Sequence, residues 1–336
     1  MSKPYVLGVD IGGTNTVFGI VDARGHVIAS DSIKTRKHAN FDDYVAELYD
    51  GVERLLNAND AEDKIQGIGM GAPNGNYYTG EILNPPNLPW GPVIPLAEKV
   101  SKAFGGIPVA ITNDANAAAL GEMTYGAARG MKDFIMITLG TGVGSGIVVN
   151  GQLVYGHDGF AGELGHVIVK RNNGRVCGCG RTGCLEAYCS ATGVARTARE
   201  FLEIRTEPSA LRDLQIEDIT SKDVYDAAVA GDKLAKEIFE YTGTILGQAM
   251  ADMVAFSSPQ AIILFGGLAK SGELLMRPLK EAFDKSLLPI FKERMPKIIL
   301  SELKESDAAV LGASALGWEA KYHYEAPGGA IAPVED

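Results

Sequence analysis

The sequence predicts an α/β protein built from two related domains, and three observations carry that prediction. The chain has 336 residues, a length that suits two hydrophobic cores better than one. Apolar strands run into glycine-rich turns twice, first at Tyr5 to Asp10 before Ile11-Gly12-Gly13-Thr14-Asn15 and again at Phe134 to Leu139 before Gly140-Thr141-Gly142. A third apolar strand, Ile262 to Phe265, ends in Gly266-Gly267 and leads into a helical pattern, the usual place of a ligand-contacting turn in α/β folds. Two strand-turn-strand units of the same kind imply an internally duplicated fold whose halves face each other across a cleft.

Each element has its own local reason. The chain opens as a β-meander: Thr16 to Val21 follows the first turn, Asp22-Ala23-Arg24-Gly25 reverses direction, and Val27 to Ile33 continues. The Gly12-Gly13-Thr14 turn lets phosphate oxygens approach backbone N–H groups, and Thr14 and Asn15 add side-chain donors. It lacks the G-x-x-x-x-G-K-[ST] pattern, so no P-loop is expected, and alone it reads only as a hairpin signal. In the second unit Ile147 to Val149 is the return strand, and Gly151 turns the chain into Leu153-Val154. Ala110-Ile111-Thr112 ends a strand, after which Asn113-Asp114-Ala115-Asn116 starts a helix-forming run to Glu122. On spacing alone Asn113 and Asp114 read as N-cap residues.

Later segments read as scaffold. Leu234, Ile238, Tyr241, Ile245, Ala249, Met253 and Phe256 recur every three or four residues, a core stripe along a long helix, with a subunit interface as the alternative. Arg205 to Thr220 is polar and mixed, which predicts a loop. Asn84-Pro85-Pro86-Asn87-Leu88-Pro89-Trp90 is stiffened by its prolines. Ser306-Asp307 caps a final helix through Trp318, and the small, turn-prone residues after Tyr324 predict a mobile tail.

A metal is predicted between Phe160 and Glu186. Cys177, Cys179 and Cys184 bring three thiolates within reach of one ion, and His166, eleven residues before Cys177, supplies a nitrogen. Three sulfurs and an imidazole suit a closed, structural Zn2+ site, with Gly178, Gly180 and Gly183 allowing the tight turns. A disulfide framework is the weaker reading: the chain has four cysteines and starts without a secretory leader, so a reduced, cytoplasmic setting is expected. Cys189 reads as an ordinary buried thiol.

Composition narrows the partners. Hydrophobic residues make up 46% and charged residues 22%, ordinary for a globular protein. No apolar run approaches the roughly 20 residues that span a bilayer, so no membrane partner is expected. A net charge of -11 repels phosphate backbones, which argues against nucleic acid as a partner. Small anions remain possible ligands through backbone amides.

Taken together, DIGGT, LGTGVGSGI, GELGH with CGCG and GCLE, and LFGGLA resemble the ROK family of sugar kinases and repressors, and the NPPNLP segment is similar to that of its glucokinase-like members. The resemblance runs from about residue 5 to residue 320. It implies the actin-like ATPase fold of sugar kinases and hexokinases, and an ATP-dependent enzyme that phosphorylates glucose at its 6-hydroxyl. Kinases for N-acetylglucosamine, N-acetylmannosamine or fructose share these motifs; a repressor would need a DNA-reading helix pair ahead of the first strand, and a silent sugar-binding module would lack the base. The resemblance makes Asp114 the general base and places Asn87, Asn113, Glu163, His166 and Glu186 on the sugar, with Asn76 a weaker candidate. A carboxylate of ordinary acidity suffices, kept ionised by the helix N-terminus. Paired glutamates suit sugar recognition because each accepts two hydrogen bonds. The nucleotide falls to Asp10, Gly12, Gly13, Thr14, Asn15, Thr141, Gly142, Gly266 and Gly267, with Gly312 toward adenine, and Mg2+ is expected near Asp10. One domain then comprises residues 1–117 plus 306–322, the second 118–305 with the zinc loop, and 323–336 forms the tail. A homo-oligomer, dimer or tetramer, is expected, with the active site in the cleft.

Overall fold

In the computed structural model the described residues are 3–85 and 88–324, those at 305–306 and 321–324 by main chain alone. They form two compact units. The first takes residues up to Met131, Leu153–Gly162 and the chain from Glu302; the second takes Lys132–Gln152 and Glu163–Ser301.

Unit one begins with the expected meander, β1 (Tyr5–Ile11), β2 (Asn15–Asp22) and β3 (Val27–Lys34), each antiparallel to the next. Helix α1 (Phe41–Asn57) starts where the Asn40 side chain accepts the Asp42 N–H at 2.8 Å, with Asp42 and Asp43 complementing the helix dipole. Its buried stripe, Tyr44, Val45, Leu48, Val52 and Leu56, covers the sheet. Strand β4 (Ile65–Gly71) pairs parallel with β1. A small hairpin, β5 (Ile82–Leu83) and β6 (Val93–Ile94), precedes α2 (Leu96–Ala103). Strand β7 (Val109–Thr112) then adds parallel to β4 and feeds α3 (Asp114–Tyr125). The sheet order is β3-β2-β1-β4-β7.

Unit two repeats that plan. Strands β8 (Phe134–Leu139), β9 (Val143–Val149) and β10 (Gln152–Leu153) precede α4 (Glu186–Cys189), α5 (Ala191–Ile204), α6 (Ser221–Val229) and α7 (Lys233–Ser257). After them come β11 (Ala261–Phe265), α8 (Glu273–Ser286) and β12 (Lys297–Leu300), and the sheet order β10-β9-β8-β11-β12 matches that of unit one. In both sheets an antiparallel pair leads into parallel neighbours, the duplication that the glycine turns foretold. The core of unit two joins Ile135, Ile137 and Leu139 of β8 to Phe239, Leu246 and Met250 of α7.

Helix α9 (Glu305–Tyr324) returns to unit one and packs backbone to backbone on its sheet. A Cβ at Gly69 would lie 1.9 Å from the Ala313 carbonyl oxygen and 2.6 Å from the Gly317 nitrogen, and one at Gly8 would lie 2.2 Å from the Val310 carbonyl oxygen. Gly67 and Gly69 alternate along β4, so both offer bare backbone to the same helix.

Several expectations need correction. A domain boundary after residue 117 cuts α3, which stays whole in unit one because it packs on α9. The final helix starts at Glu305 and runs past Trp318 to Tyr324, so residues 323 and 324 are helical, while the rest of the expected tail lies outside the described residues. The return strand after Gly142 starts at Val143, since Val143 pairs with Leu139 and the turn needs only three residues. Arg205 to Thr220 holds two short 3-10 turns, Ala210–Asp213 and Ile216–Asp218, pinned by buried Leu211 and Ile219. The α7 stripe ends before Phe256, which is 83% exposed.

Candidate functional site

In unit one the carboxyl ends of three parallel strands converge. Asp10 of β1 pairs with Gly71 of β4, and Gly71 with Thr112 of β7, after which Asn113 and Asp114 open α3. Ligands of open α/β sheets bind at such strand ends. Gly71 keeps the acids close: a Cβ there would meet Asp10 Oδ1 at 3.2 Å and the Asp114 Cα at 3.8 Å. The two carboxylates repel. Asp10 is pushed up to about 7, chiefly by desolvation and then by the charge of Asp114. Asp114 is raised as well, by desolvation. Its surface is nonetheless open to solvent, because surrounding protein can thin the water around a group without covering it.

The helix start is built from local bonds. Asn113 Oδ1 accepts the Asn116 N–H at 2.7 Å, the N-cap role that its position suggested, while Asp114 Oδ1 accepts the Ala115 N–H at 2.9 Å. Asn116 Nδ2 donates to Thr112 Oγ1 at 3.2 Å and ties the helix to its strand. The expectation that the helix N-terminus leaves Asp114 with ordinary acidity is corrected: its backbone bond does favour the ionised form, but desolvation outweighs it. The β1–β2 turn is closed by the Gly12 N–H donating to the Asn15 carbonyl at 3.0 Å. Thr14 and Asn15 are exposed, and Asn15 Oδ1 accepts from Lys34 Nζ at 2.8 Å.

In unit two the predicted metal ligands come together. The donor atoms of His166, Cys177, Cys179 and Cys184 all lie within 4.8 Å of one another. Cys179 Sγ and Cys184 Sγ are 3.7 Å apart, as are Cys177 Sγ and His166 Nδ1. A tetrahedral ion with Zn–S bonds of about 2.3 Å sets its sulfurs about 3.8 Å apart, so the donor set fits zinc. The loop is a short hairpin: the Cys177 N–H donates to the Arg181 carbonyl at 2.8 Å and the Gly180 N–H to the Cys177 carbonyl at 3.0 Å. Gly180 and Gly183 take positive φ, as clustered ligands require.

Glu186 adjoins this cluster. Its Oε1 accepts from the Cys177 thiol at 3.4 Å and its Oε2 from the Val143 N–H at 3.0 Å. A Cβ at Gly142 would lie 2.4 Å from Oε2, so Gly142 is bare to admit the carboxylate. Glu163 is exposed just ahead of His166 in a 3-10 turn, and the Leu164 N–H of that turn donates to Ser145 Oγ on β9 at 3.0 Å.

The glycine turns of unit two border a cavity of about 500 Å3 lined by Leu139, Gly140, Thr141, Tyr225, Gly267 and Lys270, among others. That volume lies within the range of small-molecule sites. Gly266 has φ near +103° and sits where a Cβ would strike the Leu139 carbonyl oxygen at 2.5 Å, whereas Gly267 faces open space. Sequence reasoning missed Ser221, Lys222 and Tyr225 of α6, which complete the wall. Their approach to turns eighty residues earlier leaves no local signal in the sequence.

Two candidates take structural roles. Asn76 is 2% exposed, with Nδ2 donating to the Asp158 carbonyl at 2.7 Å and Oδ1 accepting from the Tyr78 and Thr79 N–H groups, so its polar atoms are engaged by the fold. Gly312, expected toward adenine, is buried against α3, where a Cβ would meet the Ala117 carbonyl oxygen at 2.8 Å, so helix packing also calls for a glycine there. Asn87 lies outside the described residues.

The model of the ROK family matches residues 6–320. A glucokinase of Halalkalibacterium halodurans is 37% identical over 292 residues, covering 86% of this chain and 88% of that protein. The structure of a ROK family glucokinase from Streptomyces griseus with glucose and AMPPNP superposes with a TM-score of 0.75 at 32% identity, over 94% of this chain and 99% of that one. A xylose repressor of Caldicellulosiruptor bescii is more distant, 29% identical over 93% of this chain and 77% of its own length. The chain therefore belongs to the ROK family and has the actin-like ATPase fold of that family's sugar kinases.

Proposed function

We propose that this protein is an ATP-dependent hexokinase that phosphorylates glucose at its 6-hydroxyl. The observation that carries the reading is Asp114: an open carboxylate at the end of β7, beside Asp10, on a helix start that fixes its position. A sugar hydroxyl is a poor nucleophile at neutral pH, and a carboxylate in hydrogen-bond reach orients it and takes its proton as the bond to phosphorus forms. A raised pKa makes Asp114 a stronger base than a free carboxylate. The glucokinase relatives support the choice of sugar and of ATP.

In this reading the sugar ligands are Asn87, Asn113, Asp114, Glu163, His166 and Glu186. The three latter residues lie on or beside the cysteine loop, and Glu186 is fixed by the Val143 N–H. His166 faces Cys177 through Nδ1, leaving Nε2 for a hydroxyl. Cys177, Cys179, Cys184 and His166 would hold zinc, which stiffens this wall. The turns at Gly12-Gly13-Thr14-Asn15, Thr141-Gly142 and Gly266-Gly267 offer N–H groups to phosphates, and the cavity beside Tyr225 has room for a nucleoside. Asp10 would hold Mg2+, which neutralises phosphate charge when bound.

Free thiols support a reducing, cytoplasmic location, and among the described residues no helix is long and apolar enough to cross a membrane. A dimer or tetramer belongs to the same reading; light scattering at the 35.6 kDa of one chain rejects it. The decisive test is an ADP-coupled assay over a panel of hexoses. Glucose is expected to give the highest kcat/KM; a higher value for N-acetylglucosamine, N-acetylmannosamine or fructose rejects the substrate, and no turnover with any sugar rejects the activity.

A further inference from the structure

Arg175 stands two residues ahead of Cys177 and is 7% exposed. A guanidinium so enclosed destabilises the fold unless its donors are met, and here they are met by two helices. Nη1 donates to the Ala187 carbonyl of α4 at 2.9 Å and to the Gly193 carbonyl of α5 at 3.3 Å. Nη2 donates to Thr197 Oγ1 at 2.9 Å and to Glu200 Oε2 at 2.6 Å, and Nε reaches that same carboxylate oxygen at 3.0 Å. The cation also lies over the Tyr188 ring, 4.5 Å from its centre.

The main chain of Arg175 is engaged as fully. Its N–H donates to the Tyr188 hydroxyl at 2.8 Å, and its carbonyl accepts the Gly183 N–H at 2.8 Å. Gly183 immediately precedes Cys184, so this one residue joins both arms of the cysteine loop. The Ala187 carbonyl is available for a reason: the Ala191 N–H, its regular helical partner, turns instead to the Gly140 carbonyl at 2.8 Å where α4 breaks into α5. Ala187 follows Glu186. The guanidinium thus fills an orphan carbonyl one residue from a proposed sugar ligand while its backbone holds the loop that carries three metal ligands.

We propose that Arg175 is a positioning residue that fastens the cysteine loop to α4 and α5, so that retention of zinc and grip on the sugar rise and fall together. The sugar half of this inference rests on the function proposed above. Lysine cannot replace the planar fork, because one ammonium cannot stand in for Nε, Nη1 and Nη2 together, which meet two carbonyls, Thr197 Oγ1 and the Glu200 carboxylate at once.

The test measures zinc transfer from the holo chain to a chromogenic chelator, alongside KM for glucose and for ATP, in Arg175→Lys, Glu200→Gln and Thr197→Val. Outer-shell partners of metal ligands typically govern affinity by roughly 10–100-fold, so Arg175→Lys is expected to release zinc roughly tenfold faster or more and to raise the glucose KM about tenfold, with the ATP KM within about twofold. Glu200→Gln should fall between it and the wild type. Wild-type zinc release overturns the proposal, as does a rise in the ATP KM equal to that for glucose, which marks general destabilisation. If Arg175→Lys does not fold, the other two variants decide on the same readouts. The chelator measurement uses no sugar, so a wild-type chain inactive on every hexose rejects the proposed function while leaving Arg175 to be judged by zinc release.

Discussion

Replacing Asp10 by Asn should stabilise unit one at alkaline pH and leave it unchanged in acid. The native carboxyl holds its proton up to about 7, against an ordinary value of 3.8, so between those limits the folded chain binds more protons than the unfolded one. Stability attributed to this group is therefore complete below pH 4 and is lost as pH rises toward 7. A difference that large between the folded and unfolded carboxyl corresponds to about 4 kcal/mol as an upper bound, and partial solvent access lowers the expectation to about 2–4 kcal/mol. Asn has the same shape and no proton to lose. The variant should thus exceed the wild type by that amount at pH 8, with the gap closing toward pH 4. Urea unfolding of the ligand-free chain at several pH values, followed by tryptophan fluorescence, measures it. Both tryptophans, Trp90 and Trp318, lie in unit one, so the signal reports the right unit. A gap that is constant with pH, or a wild type that gains on the variant between pH 5 and 8, would refute the coupling.

Three further outcomes are expected. Asp114→Asn should lower kcat by roughly a hundredfold or more with little change in glucose KM, as loss of a general base does; wild-type turnover rejects the assignment. Cys179→Ser should lose zinc and weaken glucose binding before ATP binding, and elemental analysis showing full zinc occupancy counts against the ligand set. Gly69→Ala should cost about 3 kcal/mol or leave the chain insoluble, because the added carbon meets backbone on α9 at 1.9 Å and backbone cannot swing aside; an unchanged urea midpoint contradicts that packing.

Much of this was legible in the residues because the signals were local. Glycine turns after apolar strands gave the duplicated sheets, and the Cys177, Cys179, Cys184 and His166 spacing gave a cluster whose donor atoms do converge. What sequence could not give depended on approach between distant segments. The cavity wall at Ser221, Lys222 and Tyr225 meets the turn at Gly140 only after α5 and α6 fold back. Gly142 read as a phosphate turn, yet its missing side chain also admits Glu186 from forty-four residues away. The acidity of Asp114 was misjudged because the helix start is visible in sequence and desolvation is not.

The return of α9 to unit one has a consequence for biosynthesis. The glycine face of β4 cannot be covered until residues 305–324 emerge, yet the strands it belongs to leave the ribosome before the whole of unit two. At roughly 5–20 residues per second, that interval is on the order of ten seconds or more. The portion translated first is completed last, and until then the strip along Gly67 and Gly69 lacks the helix that covers it.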